Sequence, residues 1–166
     1  MLPIQPEKAD ADAFFEQAQA AEEAEDWATA ERLYTRVVKM DLTDATSAFN
    51  LANALRTQNR TIDAEAAYRI AVERESGFAE AWFNLADLLD EQRRGPEAVQ
   101  CLERALKADP DYADAIFNLA LLLQRLERLE EAAANWKRYL DKDRTSKWAD
   151  RAKRVLKLCE MQMAVS

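Results

Sequence analysis

From Ala11 onward, apolar residues recur three or four places apart in stretches of about a dozen residues, each stretch closed by a short polar interruption. This is the spacing of helices that bury one face. In residues 79–112, Trp82, Leu85, Ala86 and Leu89 mark one such face, Arg94-Gly95-Pro96-Glu97 interrupts it, and Ala98, Cys101, Leu102, Ala105 and Leu106 mark a second. Pro96 suits the first turn of a helix, where its missing N–H is not needed, and Gly95 supplies a permissive turn residue. Asp109 precedes Pro110 and is thereby pushed out of helical geometry, which ends the second helix. The stretch predicts a helical hairpin.

The same hairpin pattern returns without insertion in 11–44, 45–78, 79–112 and 113–146. Ala79-Glu80-Ala81-Trp82-Phe83-Asn84-Leu85-Ala86 and Ala113-Asp114-Ala115-Ile116-Phe117-Asn118-Leu119-Ala120 show it most plainly. A fixed period of this length marks stacked repeats in which no unit buries its apolar face alone. The eighth place is Ala18, Ala52, Ala86 and Ala120, and the twentieth is Ala30, Ala64, Ala98 and Ala132. Small side chains at these places let paired helices approach closely. Tyr34, Tyr68, Leu102 and Trp136 share the twenty-fourth place and fill the space between. Residues 1–10, with Pro3 and Pro6, are expected to be a flexible lead-in, and 164–166 a tail. The segment 147–163 carries Trp148, Ala152, Val155, Leu156 and Cys159 on one stripe and predicts a capping helix.

Trp82, Leu85, Ala86, Leu89, Ala98, Leu102, Ala105 and Pro110 resemble the tetratricopeptide repeat, and the resemblance covers residues 11–146. It implies an all-α fold, a right-handed α-α superhelix of four helical hairpins closed by a C-terminal capping helix, with the first helix of each hairpin lining a concave groove. The first copy departs most, with Phe14, Gln17 and Ala21 at places where the family carries larger apolar residues. In the fourth copy Tyr139 and Arg144 replace the small residue and the closing proline.

Composition narrows the function classes. Hydrophobic residues make up 49% of the 166 residues and charged ones 33%, with only 2 Gly and 4 Pro, which suits a helical chain. There is no His, so the commonest general base and zinc ligand is missing. No nucleophile and base pair or phosphate loop stands in the sequence, and no catalysis, cofactor or metal is expected. Cys101 and Cys159 form no metal or redox spacing and are expected to be reduced thiols packed on helices. A net charge of −8 argues against nucleic acid as a partner. No apolar run could span a bilayer and no secretory leader is apparent, so a cytoplasmic protein is expected.

By the family's geometry, the groove would carry the fifth place, Phe15, Phe49, Phe83 and Phe117, and the sixth, Glu16, Asn50, Asn84 and Asn118. The phenylalanines read either as core packing between helices or as an apolar floor for a ligand. The asparagines read either as bonds to the neighbouring repeat or as a ladder of amides for the backbone of an extended chain. Glu80, Asp87, Asp90, Glu91 and Asp114 would make the middle of the groove acidic and favour a neutral or basic segment. Relatives that capture acidic heat-shock C-termini use a clamp of Lys, Asn, Asn, Lys and Arg. The corresponding Phe49, Asn53, Asn84, Asp114 and Asn118 include no cation, so that partner is not expected. Residues 137–157 carry nine basic and three acidic side chains, a net of +6 that suits solvation of the last helices, weak head-to-tail self-association, or contact with nucleic acid or a membrane surface.

The expected function is a protein-interaction scaffold that binds a peptide or partner segment through Phe49, Phe83, Phe117, Asn50, Asn53, Asn84, Asn118, Glu80, Asp87 and Asp114. The Trp-Lys-Arg-Tyr-Leu ending and the final Trp-containing helix also resemble tetratricopeptide segments of bacterial transcription regulators of the MerR type, which implies a regulatory module as an alternative. A self-associating assembly factor is another.

Overall fold

The computed structural model describes residues 6–165, and among them every regular element is an α-helix. The helices are α1 (Pro6–Glu23), α2 (Trp27–Met40), α3 (Ala45–Thr57), α4 (Thr61–Arg74), α5 (Ala79–Glu91), α6 (Gly95–Ala108), α7 (Ala113–Arg125), α8 (Leu129–Lys142) and α9 (Lys147–Met163). Residues 6–10, expected in a lead-in, form the first turns of α1. Residues 1–5 of that lead-in and Ser166 of the tail lie outside the described residues.

The hairpins owe their turns to a residue that composition hides. Glu25, Asn59, Arg93 and Glu127 each take a left-handed backbone, with φ of 56°, 59°, 61° and 58°. Two hydrogen bonds close each turn. In the third hairpin the Arg94 N–H donates to the Leu89 carbonyl at 2.9 Å and the Arg93 N–H to that of Asp90 at 2.9 Å. Asp26, Arg60 and Arg128 donate in the same way to Ala21, Leu55 and Leu123. This is the pairing that satisfies the last carbonyls of a helix when the following residue turns left-handed. Glycine would adopt that backbone without a steric cost, whereas these side chains adopt it against one.

Gly95, expected to be the permissive turn residue, has no positive φ. It opens α6, with Pro96 in the first turn, and a Cβ there would lie 3.3 Å from a Leu126 methyl. Its small size, not its backbone freedom, is what the turn uses. α6 ends at Asp109 as its Pro110 predicts, and the other second helices end alike without a proline: Asp41, Glu75, Asp109 and Asp143 have φ between −116° and −135° and donate their N–H back to Val37, Ala71, Ala105 and Tyr139.

The chain divides into two compact units, Met1–Ala81 and Trp82–Ser166. In the first, α1 packs on α2, α2 on α3, and α3 on α4. Ala18, Ala30, Ala52 and Ala64 are fully buried at the predicted close approaches, and Tyr34 and Tyr68 fill the space beside them. The Arg74 guanidinium ties the end of α4 to the last turn of α2 and the loop before α3 through the carbonyls of Val38 (2.9 Å) and Asp44 (2.8 Å).

In the second unit, α6 packs on α7, α7 on α8 and α8 on α9. Ala86, Ala98, Ala120 and Ala132 are buried, and Trp136 occupies the large place between helices. Tyr139 ends the repeat differently: its ring meets Phe117 at 5.1 Å, and its hydroxyl donates to Asp143 at 3.0 Å. The Ser146 hydroxyl and N–H also donate to Asp143, and these bonds hold its carboxyl down at about 2. The Ser146 hydroxyl oxygen in turn accepts the N–H groups of Trp148 (3.1 Å) and Ala149 (3.2 Å), capping α9. Cys101 and Cys159 are buried free thiols, and burial pushes the Cys159 thiol up.

Candidate functional site

The candidate groove residues sit on α3, α5 and α7, but they do not behave as equivalent members of a ladder. Phe49 is only 7% exposed and packs at a tilt against Tyr68 (6.0 Å) and Phe78 (4.9 Å). Phe117 is 9% exposed and set edge-on against Trp136 (4.9 Å), Tyr139 and Trp148 (5.6 Å). Rings buried on this scale contribute core area and offer little to a ligand. The core-packing reading therefore holds for these two. Phe83, half-buried with Tyr112 at 5.0 Å, keeps part of its surface open.

The asparagines divide as well. In the first unit the Tyr34 hydroxyl donates to Glu22 Oε2 at 2.7 Å and accepts a hydrogen bond from Asn50 Nδ2 at 3.4 Å. Burial, and then the Glu22 carboxylate beside it, push the Tyr34 phenol above its ordinary range. Asn53 Oδ1 accepts from the Tyr68 hydroxyl at 2.5 Å. Both asparagines are therefore engaged by tyrosines rising from the core. Asn84 is half-buried and not free. Asn118 is different: it is half-buried, and its side chain makes no hydrogen bond among the described residues.

Asn118 lines a pocket of about 150 Å³ in the second unit, together with Asp87 and Asp90 from α5, Leu102 from α6, and Leu121 and Arg125 from α7. Ala86 and Leu122 complete its apolar wall. Arg125 forms an ion pair with Asp90 across the pocket. The acidic candidates Glu80 and Asp114 are exposed, while Asp87 and Asp90 are half-buried. Arg125 shares its repeat place with Glu91, which reads as lining the groove, but only the acidic residues stand out there in the sequence; its ion pair with Asp90, thirty-five positions away on another helix, is what makes it relevant.

The fourth hairpin repeats the first in part. Gln124 and Trp136 stand at the places of Glu22 and Tyr34, but Gln124 Oε1 and Trp136 Nε1 are both buried without a hydrogen-bond partner among the described residues. An indole N–H sits elsewhere on its ring than a phenol hydroxyl, so the substitution does not carry the bond with it.

The basic end of the chain is largely satisfied from within. Lys137 pairs with Glu160 at 3.0 Å, Lys142 with Asp111, and Lys153 with Asp150 at 3.4 Å. Arg138 donates to the Pro110 carbonyl, and Arg151 lies over the Phe117 and Trp148 rings. Among the described residues there is no cluster of side chains fit to hold a metal ion, and no helix is long and apolar enough to cross a membrane.

This architecture of repeated hairpins matches a known class. A model of the tetratricopeptide repeat family fits residues 15–69, 49–100 and 86–147, and the chain belongs to that family. Its fold is similar to that of a tetratricopeptide repeat protein from Parabacteroides merdae ATCC 43184, at 17% identity and a TM-score of 0.83 over 92% of this chain and 60% of that one. MamA protein is similar at 18% identity and a TM-score of 0.77, over 93% of this chain and 86% of that one. YrrB, a TPR protein with an unusual peptide-binding site, is similar at 18% identity and a TM-score of 0.73, over 82% and 70%. At these identities the likeness is one of fold. No curated protein matches the chain in sequence.

Proposed function

We propose that this protein is an interaction scaffold that holds a neutral or basic polypeptide segment against α5 and α7, the first helices of its third and fourth hairpins. The observation that carries this reading is the pocket itself. It sets an amide with no internal bond, Asn118, beside the carboxylates Asp87 and Asp90 and an apolar wall. An amide that can both donate and accept suits a peptide group, and the carboxylates disfavour an acidic segment. The peptide-binding site of a protein with a similar fold, YrrB, agrees with this use of the scaffold. Phe83 would lend apolar contact, while Asn50 and Asn53 bond to tyrosines of the first unit and Phe49 and Phe117 pack in the cores of their own units.

A displayed library of random linear peptides tests this. Peptides selected on the whole chain should lose tenfold or more in affinity for an Asp87→Ala/Asn118→Ala variant and should be depleted in Asp and Glu. Selected peptides that bind the variant equally well, or a library that yields no binder, would rule the reading out.

A further inference from the structure

The pocket has an internal counterpart that indicates what it takes. Glu22, Tyr34 and Asn50 occupy the twelfth and twenty-fourth places of one repeat and the sixth of the next, and Asp90, Leu102 and Asn118 occupy the same three places two repeats later. In the first set a phenol hydroxyl lies between a carboxylate and an amide, donating to one and accepting from the other. In the second set the carboxylate and the amide are kept and the phenol is replaced by Leu102, which has no hydroxyl and ends short. The pocket is lined by those three residues. The Asp90 carboxylate takes Arg125 instead, and the Asn118 amide makes no bond within the described chain.

We propose that this pocket is a subsite for a tyrosine side chain of the bound segment, whose hydroxyl takes up between Asp90 and Asn118 the position that the Tyr34 hydroxyl holds between Glu22 and Asn50. The inference rests on the reading that the groove binds a polypeptide. Size agrees, since a cavity of about 150 Å³ accepts one benzene-sized ring. The walls agree too: Ala86, Leu102, Leu121 and Leu122 offer methyl and methylene surface to the ring.

Competing side chains fit less well. A phenylalanine would cover the Asn118 amide and the Asp90 carboxylate without bonding either, and desolvated polar groups without partners oppose binding. A lysine ammonium would have to displace the Arg125 guanidinium from Asp90, whereas a phenol adds no charge and needs one donor and one acceptor.

The test uses side-chain analogues on the full chain: p-cresol for tyrosine, toluene for phenylalanine and n-butylamine for lysine, each titrated while the Leu102 and Leu121 methyl and Asn118 amide resonances are followed. The expected result is millimolar binding of p-cresol, at least fivefold tighter than toluene, with n-butylamine weaker than either. Leu102→Tyr, which supplies the ring and hydroxyl from within, should abolish p-cresol binding. Asn118→Ala, which does not depend on that variant folding, should bring p-cresol down to the level of toluene. A p-cresol advantage below fivefold, preference for n-butylamine, p-cresol binding that survives Leu102→Tyr, or an advantage that survives Asn118→Ala would overturn the proposal. Peptide selection by the groove would be unaffected by that failure. Conversely, p-cresol discrimination without any peptide binder would remove the scaffold reading and leave a phenol site.

Discussion

Two regions built from the same repeat places keep a carboxylate and an amide, differ in the core residue between them, and leave those polar groups in different states. In the first unit Tyr34 reaches out of the core and joins Glu22 on α1 to Asn50 on α3, so that carboxylate, phenol and amide are all consumed in holding helices together. In the second unit Leu102 stops short, and the same carboxylate and amide places face a pocket. What makes a repeat surface available for binding is therefore less the polar residue displayed than the core residue beneath it. A column of asparagines is a ladder only where no tyrosine has already taken the rung.

The largest test of this contrast converts the first region into the second. Tyr34→Leu should open a cavity at a fully buried position and leave Glu22 and Asn50 without their shared partner, a destabilisation of about 3 kcal/mol in chemical denaturation. A cost under about 1 kcal/mol would mean that the phenol is not what joins α1 to α3.

Tyr34→Phe separates ring from hydroxyl and should cost less, about 1–2 kcal/mol. It also carries a pH signature. Because the folded-state pKa of Tyr34 is raised, its contribution is fully present below the ordinary tyrosine value of 10.0 and is lost as pH rises beyond it. Thermal midpoints followed from pH 8 to 11 should fall more steeply for the unaltered chain than for Tyr34→Phe; parallel curves would argue that the buried hydroxyl does not hold its proton as inferred.

The smallest effect compares the turns of the two units. Arg93→Gly and Asn59→Gly both relieve a left-handed backbone. Asparagine tolerates that region better than arginine. Arg93→Gly should therefore gain roughly 0.5–1 kcal/mol and Asn59→Gly less, because the entropy of glycine in the unfolded chain offsets more of a smaller strain. Equal gains would show that side-chain type does not modulate the strain of these turns.

Much of the fold was legible in the sequence. The period, the small eighth and twentieth places and Asp109-Pro110 anticipated the hairpins, their close approaches and the end of α6, because helical spacing and local backbone sterics act within a few residues. The left-handed turn residues were not legible: of Glu25, Asn59, Arg93 and Glu127 only Asn59 is a type that favours that backbone, and Gly95, the residue that looked suited to the turn, does another job. Their geometry follows from closing two helix ends at once, not from propensity.

The candidate site was legible as a set of positions and not as a set of states. Phe49 and Phe117 read as groove residues by register, yet which side of a helix a ring leans towards depends on Phe78, Tyr139 and Trp148, which belong to later helices and loops. Asn50, Asn53 and Asn118 are the same residue type on the same family of helices. Whether each is spent on a tyrosine or left open depends on partners 16, 15 and 16 residues away, at Tyr34, Tyr68 and Leu102. The sequence by itself determined the repeated hairpin and the chemical alphabet of the groove, because those are local and periodic. The tertiary structure alone decided that one asparagine of the column opens onto a pocket, because a hydrogen bond is used or unused according to what packs across from it.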